Sequence, residues 1–231
     1  MVIAIDGPAA SGKSSTAQWV ARRLGFFHVD SGSLYRALTA VQLEVEPTVD
    51  RWTEETVVAH ADRVSFAPAE RAFVPLLNGK EADEVLRGTQ VTLHVSKVAV
   101  MPRARAWVNE QVRGAATMRD VVVDGRDMGT AVFPDAELKV FLIADPWERA
   151  RRRLVQRLGR QPADDEIAAE TEQIVKRDAK DATQTVQAAD AILIDTTSLT
   201  QEDQVERIVA LAKAARSGSV LNPHPSDTSS G

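Results

Sequence analysis

The sequence predicts an α/β fold: a parallel five-stranded sheet covered by helices, with a small antiparallel β insert. Three observations predict it. Five short apolar runs are spread along the chain, stretches of helical periodicity separate them, and a glycine-containing loop, Gly7-Pro8-Ala9-Ala10-Ser11-Gly12-Lys13-Ser14, lies between the first run and the first helix. Short apolar runs without polar alternation suit strands buried on both faces, and their alternation with helices suits parallel connections.

The first run, Val2-Ile3-Ala4-Ile5, leads into the loop, and Ser15 to Leu24 follows with Ala17, Val20, Ala21 and Leu24 at helical spacing. The second run is Phe26-Phe27-His28-Val29. From Asp62 to Leu86 the alternation breaks. Arg63-Val64-Ser65-Phe66, a turn-rich Ala67-Pro68-Ala69-Glu70 and Phe73-Val74-Pro75-Leu76-Leu77-Asn78-Gly79-Lys80 predict a hairpin followed by an Asn-Gly turn. Pro102 suits the first position of a helix over Pro102 to Arg113. Val121-Val122-Val123 is the third core run, Leu138 to Ile143 the fourth and Ala191-Ile192-Leu193-Ile194 the fifth. Helices are predicted over Pro146 to Leu158, Asp164 to Lys180 and Thr200 to Ala215. The last has an apolar stripe of Val205, Ile208, Val209 and Ala212. From about Arg216 the composition turns to Ser, Pro, Gly, Asn and Asp, which predicts a disordered tail over 216–231.

Bulk properties narrow the function. A chain of 231 residues, 44% hydrophobic and 26% charged, can build one domain with a sizeable core. A net charge of −5 weighs against a general nucleic-acid binder. With no cysteine, disulfides, thiolate catalysis and zinc–cysteine sites are excluded. No apolar run approaches the roughly 18 residues that span a bilayer, and the N-terminus shows no signal peptide. A cytoplasmic monomer with no membrane or nucleic-acid partner is expected.

The loop matches G-x-x-x-x-G-K-[ST], and its strand–loop–helix context is what phosphate binding requires. Glycines let backbone N–H groups approach phosphate, and a helix N-terminus adds partial positive charge. Gly7, Pro8, Ala9, Ala10, Ser11, Gly12, Lys13, Ser14 and Ser15 are the candidate ATP-binding residues. Lys13 is placed to reach the β- and γ-phosphates, and Ser14 to place its hydroxyl on Mg²⁺. Guanine specificity would call for N-K-x-D, which the chain lacks. Two further segments could receive a second phosphate. Asp30-Ser31-Gly32-Ser33-Leu34-Tyr35-Arg36 follows the second strand, and Asp124-Gly125-Arg126-Asp127-Met128-Gly129-Thr130 follows the third. Both fall at the C-terminal ends of parallel strands, where open α/β sheets bind ligands. Each offers an arginine, whose planar fork matches a phosphate. The histidines His28, His60, His94 and His224 show no partner pattern, and His28 reads as a packed strand residue.

Together G-P-x-x-S-G-K-S, D-S-G-x-x-Y-R and D-G-R-D-M-G-T-x-V-F-P-D resemble the bacterial cytidylate kinases, which are P-loop nucleoside-monophosphate kinases. The resemblance runs from Met1 to about Ala215. It includes Ser96-Lys97-Val98-Ala99-Val100-Met101-Pro102-Arg103-Ala104-Arg105 and the β insert. It implies transfer of phosphate from ATP to CMP or dCMP with Mg²⁺. It also implies a core of 1–36, 115–146 and 185–215, a monophosphate-binding insert of about 37–114 and a helical lid of about 147–184. Lys13, Arg36 and Arg126 would be the catalytic residues. Arg36 and Arg126 would hold the CMP phosphate. Ser31, Arg105 and Asp127 would contact cytosine, with Tyr35 in the same pocket. Ser96, Arg177 and Asp181 would contact the sugar; Arg177, Asp181 and Gln184 share one helical face by spacing alone. The basic stretch Arg151, Arg152, Arg153, Arg157 and Arg160 would belong to the lid over the ATP phosphates, with Arg151, Arg152, Arg153 and Arg157 facing them as a set.

One departure bears on specificity. Where the family has an arginine after the aspartate at Asp181, this chain has Gln184, and about four residues are missing before Asp190. A neutral amide cannot reproduce a guanidinium fork. Alternatives are therefore a P-loop kinase for UMP, AMP or a small metabolite, or a non-catalytic nucleotide-binding regulator. An RNA-binding reading of the arginine cluster conflicts with the acidic net charge.

Overall fold

The computed structural model describes residues 1–117 and 119–218. In chain order the elements are β1 (Val2–Asp6), α1 (Lys13–Leu24), β2 (Phe27–Asp30), α2 (Ser31–Val45), α3 (Glu54–Val58), β3 (Val64–Pro68), β4 (Ala72–Leu77) and β5 (Lys80–Glu81). They continue with α4 (Asp83–Arg87), α5 (Thr89–Ala99), α6 (Pro102–Ala116), β6 (Val121–Gly125), β7 (Leu138–Ile143), α7 (Pro146–Leu158), α8 (Asp164–Asp181), β8 (Ile192–Asp195) and α9 (Gln201–Arg216).

The strand order is β3-β4-β2-β6-β1-β7-β8, with β5 paired to β4. β1 lies between β6 and β7, parallel to both, and β2–β6 and β7–β8 are parallel as well. These five strands are the five apolar runs. Their burial shows why the runs do not alternate in polarity. On β1, Ile3 and Ile5 pack with Val20, Ala21 and Ile208 of α1 and α9. Ala4 between them faces the opposite cluster, which holds Leu34 and Leu38 of α2 and Val108 and Val112 of α6. Both faces of the strand are covered, so both sets of positions must be apolar.

Among the described residues the sheet has eight strands, not the five expected. The hairpin is present, with Phe66 opposite Pro75. It does not stand apart, however. His28 and Val29 of β2 pair in parallel with Ala72 and Phe73 of β4, so the insert extends the core sheet. The physical reason is edge protection: without β4, the outer backbone of β2 would present unpaired N–H and C=O groups.

The helix starts follow the local chemistry. Pro102 and Pro146 occupy first-turn positions, and the Asp145 carboxylate caps α7 by accepting from the amides of Trp147 and Glu148. Thr200 and Asp203 form a capping box on α9. α9 runs to Arg216, which pairs with Asp120, so the helix overlaps the first residue of the expected tail. Ser217 and Gly218 follow as a turn, and residues 219–231 of that tail lie outside the described residues. Among the described residues no helix is long and apolar enough to cross a membrane.

Candidate active site

The C-terminal ends of β1, β2 and β6 open into one cleft of about 1680 Å³. On one side of it, the chain leaves β1 at Asp6, turns through residues 7–12 and enters α1 at Lys13. Gly7 lets the backbone cross β7 closely: a Cβ there would stand 2.3 Å from the Leu142 carbonyl oxygen. Gly12 sits before α1 at φ 85, and among the described residues no side chain caps that helix. Its first turn carries no acidic residue either. The helix therefore presents uncapped N–H groups and positive dipole charge to the cleft.

Lys13 is 7% exposed, and its Nζ donates to the Pro8 carbonyl at 2.9 Å. Burial pulls its pKa down to about 7, and the nearby charges of Arg126 and Arg177 act in the same direction. Asp124 and Asp30 oppose the shift without cancelling it. The site concentrates positive charge in a desolvated place, which is the condition for binding a polyanion.

The opposite side of the cleft is built by the two segments after β2 and β6. Asp30 caps α2 by accepting from the Ser33 amide at 3.3 Å, which sets the start of the helix carrying Ser31, Tyr35 and Arg36. The Ser31 hydroxyl donates to the Asp124 carbonyl at 2.8 Å, joining the two segments. Burial raises the Tyr35 hydroxyl pKa to about 12. Arg36 donates to the Leu86 carbonyl at 3.2 Å and to the Thr92 hydroxyl at 2.9 Å, which fixes its stem against α4 and α5. Burial lowers its pKa, and the charges of Arg153, Arg87 and Arg126 add to that.

At the end of β6, Asp124 accepts from the Ser14 hydroxyl at 2.5 Å and pairs with His28 Nε2 at 2.7 Å. Burial opposes ionisation of both, but their mutual attraction prevails: Asp124 is held below the ordinary carboxylate range and His28 above its usual value. Two residues on, Arg126 reaches Asp181 at 3.4 Å, while its buried Nε has no protein partner among the described residues. Asp127 is ion-paired with Arg105, and burial lifts its carboxyl despite that partner. The segment is pinned from below. Asp6 accepts from the amides of Met128 and Gly129, both at 2.8 Å, where the chain makes a π-helical turn over Met128–Val132. Burial raises the Asp6 pKa to about 6.

The third wall comes from α7 and α8. Arg177 lies 3.6 Å from Asp181 on α8, and its pKa falls to about 10 through burial and the charges of Arg126, Arg36 and Arg153. The four arginines expected to act as a set have different partners. Arg151 bonds Glu148. Arg152 bonds Glu148 and donates to the carbonyls of Thr196, Thr197 and Leu199. Arg153 and Arg157 share Glu170 at 3.0 and 3.2 Å. Of the four, Arg153 is the one whose charge is felt at both Arg36 and Arg177. Arg160 stands outside the cleft, paired with Glu166.

The candidate residues named from the sequence line this cleft, except Gly7 and Pro8 at the start of the loop and Arg160. Ser96 and Gln184 are on its wall, as are Thr197 to Gln201, a stretch that sequence reasoning passed over. It also passed over Asp6, Arg149 and Asp178, gave Asp124 no individual role, and read His28 as mere packing. The available signal for Asp124 was a carboxylate at the end of a buried strand. Asp6, immediately before the phosphate loop, offered the same cue.

Residues 3–214 match the family model described as cytidylate kinase. A cytidylate kinase from Limosilactobacillus fermentum is 40% identical over 212 residues, covering 89% of this chain and 92% of that one. A cytidylate kinase from Chloroherpeton thalassium is 39% identical over 221 residues, covering 92% and 93%. Among solved structures, a shikimate kinase from Bacteroides thetaiotaomicron is similar at 17% identity and a TM-score of 0.45, over 92% of this chain and 98% of that one.

Proposed function

The chain belongs to the cytidylate kinase family, and from that premise we infer that it catalyses ATP-dependent phosphorylation of CMP to CDP in the cleft between the Gly7–Ser14 loop and the two acceptor segments. The observation that carries this reading is the meeting of five cations, Lys13, Arg36, Arg126, Arg153 and Arg177, whose charges act on one another across that cleft. Such a cluster repels itself until a polyanion enters it.

The reaction needs little covalent help from the protein. The acceptor is already a phosphate with a second pKa of about 6, so it is mostly ionised at neutral pH and calls for no general base. What remains is alignment and neutralisation of charge on a loose transition state. Lys13 and the loop amides take the donor phosphates. Arg36 and Arg126 take the acceptor phosphate. Arg153 is the lid arginine best placed to reach the transferred group, while Arg152 braces the Thr196–Leu199 loop on the donor side. Asp127, oriented by Arg105, and Ser31 read the base beside Tyr35; Ser96, Arg177 and Asp181 hold the sugar, in CMP and in dCMP. In this reading 1–36, 115–146 and 185–215 are the core, 37–114 the acceptor insert and 147–184 the lid, whose closure would exclude water from ATP.

Mg²⁺ fits the donor set. Ser14 and Asp124 bring a hydroxyl and a carboxylate oxygen together at 2.5 Å, and both are hard oxygen donors. Among the described residues no cluster of three acidic, histidine or cysteine side chains could hold a metal alone. That pattern suits an ion held mainly by phosphate oxygens and water, with Ser14 and Asp124 as the protein's contribution. When bound, Mg²⁺ would neutralise charge on the ATP phosphates. A cytoplasmic, monomeric enzyme without membrane or nucleic-acid partners completes the reading.

The test is steady-state turnover of the purified chain with ATP and Mg²⁺ against CMP, dCMP, UMP and AMP. CMP should give the highest kcat/KM. Absence of ADP release with every acceptor would remove the assignment.

A further inference from the structure

Helix α8 carries a carboxylate that the reaction as described does not use. Asp178 lies between Arg177 and Asp181 in sequence, yet it reaches the opposite way. Its Oδ1 accepts from the Ala9 amide at 3.1 Å, and its Oδ2 lies 2.7 Å from Arg149 Nη1. The Arg149 side chain is 5% exposed. The same Nη1 donates to the Ala9 carbonyl at 2.7 Å, and Nε donates to the Ala144 carbonyl at 3.0 Å. Both backbone polar groups of Ala9 are thus held, the N–H by α8 and the C=O by α7.

The next loop residue adds an apolar contact. Ala10, at φ 57, packs on the cluster of Ala150, Leu154, Ile167 and Ile174 between α7 and α8. The phosphate loop is seated on this helix pair through charge, hydrogen bonds and packing together. One turn along the same helix, Asp181 stands 3.4 Å from Arg126 and 3.6 Å from Arg177 on the acceptor side. A packed helix moves as a unit, so a displacement that settles Arg177 and Asp181 onto one ligand is delivered to Ala9 through Asp178.

We propose that Asp178, braced by Arg149, is a positioning residue that makes α8 a crossbar between the two substrate sites, so that each nucleotide favours binding of the other. The proposal rests on the reading of this cleft as the site of transfer. Asp178 touches neither substrate in this scheme; its effect runs through the loop amide and the helix. By linkage, the factor by which CMP tightens the donor equals the factor by which the donor tightens CMP.

The experiment is isothermal titration of the full chain with a non-hydrolysable ATP analogue, with and without saturating CMP, and the reverse titration. In the unaltered chain each ligand should tighten the other by about fivefold or more. Asp178→Asn keeps an oxygen for the Ala9 amide and removes the charge that faces Arg149. It should bring both factors close to one, change the affinity for CMP alone by less than about twofold and lower kcat about tenfold. Arg149→Lys keeps the charge but loses the fork, and should give an intermediate factor. Glu172→Gln, an exposed change on the same helix, should leave every value unchanged. The proposal fails if the unaltered chain shows a factor of one, if Asp178→Asn keeps the full factor, or if it weakens the analogue alone while the factor persists. If the unaltered chain phosphorylates no monophosphate, the proposed function fails, whatever the titrations show.

Discussion

Replacing Lys13 by Met should abolish phosphate transfer and at the same time make the nucleotide-free protein more stable. The amine sits in the fold with a pKa of about 7, against 10.5 in a solvated chain. At about pH 7.5 the unfolded chain holds that proton firmly and the folded chain only weakly, a difference of about 4 kcal/mol against folding. Met retains an apolar stem of similar length and carries no charge to desolvate. The bond from Nζ to the Pro8 carbonyl is lost as well. Leaving that carbonyl unpaired costs about 1–2 kcal/mol. The net gain is about 2 kcal/mol, which for a chain of 231 residues raises the unfolding midpoint by about 4–8 °C. The sign of the pH dependence follows from the direction of the shift. Because the folded pKa lies below the unfolded one, the penalty in the unaltered chain is complete below about pH 7, shrinks as pH rises and is gone above about pH 10.5. The stability gap between variant and parent must close over the same interval. Thermal unfolding followed by circular dichroism across that range, beside a coupled assay of ADP release, measures both effects. Turnover should fall at least about a hundredfold. A variant less stable than its parent at neutral pH, or a gap that ignores pH, would refute the desolvated-cation account of the loop.

Three further predictions concern the cleft and the loop that borders it. Asp127→Asn should raise KM for CMP at least about tenfold while moving KM for ATP less than about twofold, because the lost charge faces Arg105 on the acceptor side; equal changes in both constants would remove Asp127 from base recognition. Gln184→Arg should increase the CMP-to-UMP ratio of kcat/KM, measured in paired assays, and an unchanged ratio would show that position 184 does not read the base. Gly7→Ala should unfold the loop or the protein, losing about 3 kcal/mol or more in chemical denaturation, since its Cβ would lie 2.3 Å from the Leu142 oxygen; a stability within about 1 kcal/mol of the parent would count against that close crossing.

What sequence alone could yield divides along a physical line. Local chemistry was legible: the glycine loop before a helix, Pro102 at the start of α6, and the buried runs of β1, β6 and β7 each follow from residues within a few positions. Their gathering at one sheet edge followed from parallel topology. Partnerships across long stretches of chain were not legible. Asp6 with Met128, Asp124 with Ser14, and Asp178 with Ala9 join residues 110 to 169 positions apart, and no periodicity encodes such pairs. The same holds for the pairing of β4 with β2. Alternation reports which face of a strand is buried, and both a detached hairpin and a sheet extension satisfy it. The arginines of α7 show a third kind of gap. The resemblance put them in the lid as one set, whereas Glu148 and Glu170 divide them between different partners.

The two-residue ladder between β2 and β4 has a consequence for how the acceptor is enclosed. A flap hung on flexible connections can swing as one piece, but this one is stitched to the sheet at His28–Ala72 and Val29–Phe73. Swinging it whole would tear a buried seam beside Asp30. In the proposed reading, movement on the arrival of the acceptor would fall to α4 and α5, which already hold Arg36 through Leu86 and Thr92. The floor of the pocket would then stay put while its rim tightens, and Arg36, at the junction, would pass that tightening to the acceptor phosphate.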